Sequence, residues 1–528
     1  GPSCMTVRTL YRGIIECVAT YGIACWYAYA TQGSRDELQV IVNSCARIAS
    51  GLCTATNTTI LRAAADVMSL KELYYERGAA MLDRLHRLPE KFQGDFLYLR
   101  RESSVGSATN DLSGFLDATI PPDDFIRTKF VGRCPSARTF FDRVKISTRT
   151  VYTNEELNEI ARGYYVAASC DGSCDQAAIR MRGRGALGFG WQWCSRVVRL
   201  ANGDPAQRQG FGPAGPLGCP YDAERVALRE LASELAAAVS HGVLAECRKS
   251  LERSGTRISI AIFTDCQSIL QALLHSGSAP GDEAMLEITR TINNLAEFAQ
   301  VSLYHVKGHN DVDANEQVDK LAKQGLAAQR ALAGRQEKSE VSHEAVKSAL
   351  KAAISEDRLA ALEEEHAKGS GQVAFYKKTS ANFSNLSVMN YDTPRRFQLV
   401  LNQLHAGVCP RLSEMGNFAY ATGGVADCPK CGCKTNTVEH FLYDCPSLER
   451  ERQLLLKPVG VDLGTIFNVK RRPQLLAFVQ AAMFGWDICD GENSDANSEV
   501  DDSSVSFAST DDDDDEWVRV LLEGVGVC

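Results

Sequence analysis

Between residues 163 and 328 the chain alternates apolar periods in a fixed order, and this constrains the fold more than any other feature. GYYVAAS (163–169), GALGFGWQW (185–193) and SRVVRLA (195–201) are three short β-rich segments. NGDPAQRQGFGPAGPLGCP (202–220) is rich in Gly and Pro and reads as a loop. YDAERVALRELASELAAAVSHG (221–242) then reads as a helix, and ISIAIFTD (258–265) as a strand. Helices follow over 266–275 and 282–298, and VSLYHV (301–306) is the last strand. Beyond it Val318, Leu321, Ala322 and Leu326 recur at helical spacing. The order β-β-β-α-β-α-β-α predicts an α/β domain over 156–330, a five-stranded mixed sheet with flanking helices.

The flanks differ in character. Residues 1–90 read as helical, with TLYRGIIECVATYGIACWYA amphipathic and Leu38, Val42, Cys45, Ile48 and Ala49 at three- and four-residue spacing. Residues 91–155 read as a connector, because Gly, Ser, Pro and Asp interrupt every periodic run. Residues 331–480 form a helical linker and a region with a Cys/His cluster; 481–528 read as an acidic tail too polar to fold alone.

That tail governs the charge balance. It holds fourteen acidic groups against Arg519, a net of −13 where the whole chain carries −9, so the preceding 480 residues carry +4. A mildly basic body with an acidic tail suits nucleic-acid binding. No stretch approaches the roughly 20 uncharged apolar residues of a membrane span, so no membrane partner is expected. Nineteen cysteines without a secretory signal favour reduced thiols inside a cell, in nucleus or cytoplasm.

Four acids stand where acids are structurally odd. Asp171 ends the first strand, Asp265 ends another, and Glu224 and Asp319 lie near the starts of helices. An N-cap role or the helix dipole could explain any one of them. Four in one βα unit is a different matter, since a central first strand brings the helices over its end. Carboxylates converging there repel unless cations neutralise them, and an all-oxygen set suits Mg²⁺ or Mn²⁺. His309 lies on the loop after the last strand.

CDGS, AERVAL, FTDCQS and GHNDVDANEQVDKLAK together resemble the type-1 ribonuclease H domain. The resemblance implies that Asp171, Glu224, Asp265 and Asp319 bind two Mg²⁺ or Mn²⁺ ions, and that His309 assists proton transfer and product release. Glu234 is a weaker rival to Glu224. Cys170 and Cys266 stand where that family usually has Thr and Ser, Ala314 where Gly is common, and the 202–220 stretch lengthens the Asp171–Glu224 separation. The activity implied is hydrolysis of the RNA strand of an RNA–DNA hybrid. The alternatives are a non-catalytic protein that binds template RNA, or a transposase or resolvase of the same superfold.

CPKCGCKTNTVEHFLYDC places Cys428, Cys431, His440 and Cys445 at C-x₂-C-x₈-H-x₄-C spacing, which satisfies tetrahedral zinc. Nearby Arg395, Arg396, Lys430, Lys434, Lys470, Arg471 and Arg472 could meet phosphates of template RNA or target DNA. LYRGIIECVATYGIACW with NSCARIASG is similar to the helical segment after the palm of non-LTR retrotransposon reverse transcriptases. QLHAGVCPRL and the Cys/His cluster are similar to the C-terminal knuckle of the I and ingi groups of those polyproteins. The aromatic-x-Asp-Asp motif of the polymerase is absent, so DNA synthesis is not expected.

Overall fold

The computed structural model describes residues 2–88, 105–122, 125–131, 144–147, 149, 152–199, 202–275, 281–306, 313–332, 339–384, 386, 394–409, 427–428, 430–434, 437–456, 463–468 and 472–484. The chain divides into two compact units, Tyr74–Glu356 and a second made of Gly1–Leu73 with Asp357–Cys528.

The Tyr74–Glu356 unit is built on a mixed six-stranded sheet. Its strands are β1 (Val144–Ile146), β2 (Val166–Cys174), β3 (Gly185–Arg199), β4 (Pro205–Gly218), β5 (Ile258–Thr264) and β6 (Ala299–His305), in the spatial order β1-β6-β5-β2-β3-β4. β2, β3 and β4 pair antiparallel as a meander, while β5, β6 and β1 run parallel to β2. The helices are α1 (Asn154–Gly163), α2 (Pro220–Ser240), α3 (Gln267–His275), α4 (Glu283–Phe298) and α5 (Asp313–Ala331).

Strand alternation sorts the two faces. Val166, Ala168 and Cys170 of β2, with Ile258, Ile260 and Ile262 of β5, face a core that α2 completes through Leu228, Leu231 and Leu235 and α4 through Ile288 and Ile292. Residues three, four and seven apart on α2 form one stripe, so the sequence fixes which side of the helix is buried. Fully burying each such Leu is worth about 1.5–3 kcal/mol. On the opposite face Ala261 and Phe263 meet Leu157 of α1, Tyr304 and Val306.

The sheet departs from the expected strands in three places. GALGFGWQW and SRVVR are one continuous strand, β3. The Gly/Pro-rich stretch read as a loop is strand β4. Its glycines make room for cross-strand rings. A Cβ on Gly210 would lie 2.5 Å from Trp191, and one on Gly212 would lie 2.9 Å from Phe189. The prolines are tolerated because β4 is the edge strand of the sheet among the described residues. β1, a sixth strand, arises within the stretch read as a connector and pairs parallel with β6, Val144 opposite Val301. A helix, Val105–Thr119, lies in that same stretch. Its Leu112 fits against Gly78, where a Cβ would come within 2.8 Å. Packing, rather than propensity, stabilises this Gly- and Ser-containing helix.

A buried ionic group anchors elements on either side of the sheet domain. Asp83 accepts from Arg87 Nε at 2.7 Å, Arg127 Nε at 3.0 Å and His343 Nδ1 at 2.8 Å. Arg87 also donates to the Thr128 and Val341 carbonyls at 3.0 and 2.8 Å. It thus joins the two short strands Phe125–Arg127 and Ser339–Val341, which pair in parallel.

The other unit is helical. Gln32–Ser50, Thr58–Ala65 and Arg395–His405 are among its helices. Asn402 and Gln403 donate to the Ser50 and Gly51 carbonyls at 2.7 and 2.6 Å. Gly51 has φ +73°, and a Cβ there would overlap Leu399. The chain's first segment and its region after 357 are thereby one folded body. Among the described residues no helix is long and apolar enough to cross a membrane.

Candidate active site

Asp171 sits where β2 passes Gly190 of β3, and Asp265 follows directly on β5, the parallel neighbour of β2. Their side chains therefore emerge at the same end of adjacent strands. Glu224 is the fifth residue of α2, just past its first turn, and the helix start is set by Pro220 and by reciprocal hydrogen bonds between Cys219 and Asp222. Gly172 lets that turn approach. A Cβ there would lie 2.5 Å from the Ala223 carbonyl carbon and the Glu224 nitrogen. Its N–H donates to Glu224 Oε1 at 3.0 Å, fixing the carboxylate beside Asp171.

Asp171, Glu224 and Asp265 each offer an oxygen, and the three oxygens lie within 4.8 Å of one another. Asp319 lines the same cleft, of about 900 Å³, but stands apart from the trio and is held by Lys323 Nζ at 2.5 Å. α5 comes this close because it crosses the sheet over glycines. A Cβ on Gly188 would lie 1.9 Å from the Leu326 nitrogen, one on Gly190 2.5 Å from the Ala322 nitrogen, and one on Gly325 2.4 Å from the Gly212 oxygen. Glu234 is not at the site; it accepts from Arg208 at 2.6 Å on the far part of α2. His309 lies outside the described residues.

The electrostatics fit a cation. Burial, then the Asp265 charge, raises the Asp171 carboxyl to about 7, with Asp319 contributing. Burial, Asp171 and Asp265 push Glu224 well above the ordinary carboxylate range. Glu224 Oε2 is buried with no hydrogen-bond partner among the described residues. Three carboxylates and a buried oxygen without a hydrogen-bond partner among the described residues form a donor set for a hard divalent ion. Cys170 and Cys266, beside two of the acids, have their thiols raised by burial first and by the neighbouring carboxylates, so they stay protonated.

The acids are positioned by residues that are not themselves acidic. His305 Nε2 lies 3.0 Å from the Asp265 carbonyl oxygen and ties the ends of β5 and β6 together. Gly172, Gly188 and Gly190 set the depth of two helices. The alternation of glycine in GALGFG was the visible signal, since glycine on one face of a strand marks close backbone approach.

The Cys/His set also comes together. Cys428 and Cys445 sulfurs are 3.9 Å apart, Cys431 Sγ is 3.3 Å from His440 Nε2, and all four ligand atoms lie within 4.8 Å. Gly432, at φ +71°, allows its N–H to return to the Cys428 carbonyl at 2.8 Å. The Cys433 backbone N–H lowers the Cys431 thiol to about 6, whereas burial first raises Cys445 to about 12. Soft thiolate and imidazole donors in this closed arrangement fit Zn²⁺. Arg395 is engaged elsewhere, donating to the Ile48 carbonyl at 2.7 Å.

The chain matches no protein-family model and no curated protein. Solved structures similar to it include ribonuclease H1 of the halophilic archaeon Halobacterium salinarum NRC-1. That likeness covers 31% of this chain and 97% of that one, at 20% identity and a TM-score of 0.21. LC11-RNase H1 in complex with an RNA/DNA hybrid is similar over 32% of this chain and 99% of its own, at 12% identity and a TM-score of 0.20. The foamy viral protease-reverse transcriptase in complex with double-stranded DNA is similar over 31% and 94%, at 15% identity and a TM-score of 0.21. The architecture is the α/β arrangement the sequence predicts, a mixed sheet with flanking helices. Likenesses of this size carry no chemistry with them, and the reading of the site stands on its own geometry.

Proposed function

We propose that the chain is an endonuclease that hydrolyses the RNA strand of RNA–DNA hybrids with two divalent ions held by oxygen. The observation that carries this reading is the convergence of Asp171, Glu224 and Asp265 within 4.8 Å, with Asp319 lining the same cleft. Bound Mg²⁺ or Mn²⁺ ions would neutralise the carboxylates and make water a competent nucleophile at neutral pH. The protein's part is to hold the donors still. Gly172 N–H orients Glu224, and His305 fixes the backbone at Asp265. In the reaction a water oxygen joins phosphorus and the bond from phosphorus to the 3′-oxygen breaks. The products carry a 5′-phosphate and, after proton uptake, a 3′-hydroxyl. His309 is the group we assign to that proton. Choice of RNA would come from contacts to 2′-hydroxyls.

We further infer a retrotransposon origin of the I or ingi kind, supported by the succession of helical segment, ribonuclease H-like domain and Cys/His cluster. Cys428, Cys431, His440 and Cys445 would hold one structural zinc, and template RNA or target DNA would be the partner of that region. Incubation with hybrid, duplex RNA and duplex DNA in Mg²⁺ and Mn²⁺ tests the activity. Cleavage of the hybrid's RNA, abolished by Asp265→Asn with hybrid binding retained, supports it. Hybrid or RNA binding without cleavage of any substrate would make the chain a non-catalytic binder.

A further inference from the structure

A second cavity lies beside the carboxylates on the same face of the sheet. It measures about 610 Å³, within the usual range for small-molecule sites, and shares no lining residue with the acidic cleft. Three elements contribute to both. Ser169 precedes Asp171 by two residues on β2, Phe263 precedes Asp265 by two, and Gln317 precedes Asp319 by two on α5. Residues i and i+2 of a strand share a face and stand about 7 Å apart. The cavity is therefore one strand period from the acids.

Its walls are chemically segregated. Leu157, Ala161, Ala167, Phe263 and Val306 form an apolar side. Gln192, Gln207, Gln209 and Gln317, from β3, β4 and α5, form an amide side. Register explains the amide cluster: Gln192 faces Ser169 on one side and Gln209 on the other, while Gln207 faces Cys194. Gln317 Nε2 donates to Gln209 Oε1 at 3.1 Å, joining the helix to the edge strand at the rim. Among the described lining residues Arg208 alone is charged, and it is paired with Glu234 at 2.6 Å. The described walls therefore offer amides and apolar surface rather than net charge. It suits a neutral, flat molecule with one apolar face and an edge of alternating donors and acceptors. Side-chain amides read base edges in this way, and unpaired bases are taken up by apolar and aromatic side chains.

We propose that this cavity is a nucleobase site, taking the base of a nucleotide that has left the duplex, or lies unpaired at its end, next to the one whose phosphate lies at the carboxylates. As a route for substrate it rests on the hydrolytic reading above; as a binding site it does not. The test therefore uses the full chain in EDTA, titrated with adenosine, guanosine, cytidine and uridine and followed by ligand-observed NMR. At least one nucleoside is expected to bind saturably, and its 5′-monophosphate no more tightly. Gln209→Leu with Gln317→Leu, both at exposed positions, should weaken binding about tenfold or more at unchanged Tm. Ala161→Trp, which fills the cavity from α1, should abolish it. Absence of saturable binding by all four nucleosides overturns the proposal, as does binding that survives both variants. Hybrid cleavage without nucleoside binding would refute only this site, and nucleoside binding without cleavage would refute only the hydrolytic reading.

Discussion

The two ligand sets of this chain solve the same problem at different ranges. Cys428, Cys431, His440 and Cys445 come from one short segment, brought together by a turn at Gly432 and a single helical turn from His440. Asp171, Glu224 and Asp265 come from two parallel strands and a helix that must all be docked before the set exists. On the proposed reading the soft set would fold around its ion, making metal and local fold one equilibrium. In the hard set the sheet holds carboxylates together against their own repulsion, and an ion would relieve a cost already incurred. Loss of metal should unfold the first and leave the second standing.

The sharpest break in that comparison is Cys428→Ser with Cys431→Ser. Structural zinc contributes on the order of 10 kcal/mol or more in small zinc domains, so zinc should fall from about one per chain to none. The thermal transition of the helical unit should drop or disappear. Hybrid cleavage should stay within about twofold, and its loss with the sheet domain still folded would merge the two sites into one system. Metal analysis, calorimetry and a cleavage assay on one preparation decide this.

Gly190→Val sharpens it from the other side. The new side chain would be driven into Ala322 and Leu321 of α5, and overpacking of this kind costs about 1–3 kcal/mol. Asp319 rides on that helix, so cleavage should fall at least about tenfold while zinc content is unchanged. Gly163→Ala, at an open position, is the control and should leave both rate and Tm alone. Equal activity in the two variants would mean that the depth of α5 does not matter.

These sites were unequally legible. The spacing of the Cys/His set needs no tertiary knowledge, because one turn brings its ligands together. Asp265 was legible because an acid straight after an apolar strand is conspicuous, and Asp319 because VDKLAK has a clear helical period. Asp171 stood out beside an apolar run too, but it does not end its strand, since β2 pairs with β3 as far as Cys174. Strand β4 was not, since its glycines make sense only opposite Trp191 and Phe189, a pairing that sequence order does not display. β1 was hidden for the same reason: three residues gain strand character from β6 alone. The union of Gly1–Leu73 with the region after Asp357 depends on contacts such as Asn402 to Ser50, which no local pattern announces.

His309→Ala should disturb the fold less than either change above and act on the rate alone. General acid–base assistance is typically worth about 10²–10⁴-fold, but a proton can also come from water. Turnover should slow about tenfold or more, with single-turnover cleavage less affected and Tm unchanged. A lower Tm at an unchanged turnover number would return His309 to a structural role.

The smallest expected effect is a pH dependence of stability without divalent ions. The folded Asp171 carboxyl titrates near 7, whereas an unfolded one loses its proton near 3.9. Between those values the native state binds more protons, so stability falls as pH rises. In EDTA the sheet domain should melt a few degrees lower at pH 8 than at pH 5.5. Mg²⁺ should raise Tm more at pH 8 than at pH 5.5, and Asp171→Asn should flatten both trends. An equal Mg²⁺ shift at the two pH values would contradict ion binding by these carboxylates.

The central claim, that Asp171, Glu224 and Asp265 form a cation-dependent hydrolytic site, is tested most directly by end analysis of a labelled RNA strand in a hybrid. Wild-type chain and Asp171→Asn are compared in Mg²⁺ and in EDTA at matched hybrid occupancy. The prediction is wild-type cleavage in Mg²⁺ with 5′-phosphate and 3′-hydroxyl ends, none in EDTA, and a loss of at least about 10²-fold in Asp171→Asn. Wild-type cleavage that persists in EDTA, or more than about a tenth of the activity surviving in Asp171→Asn, would contradict it.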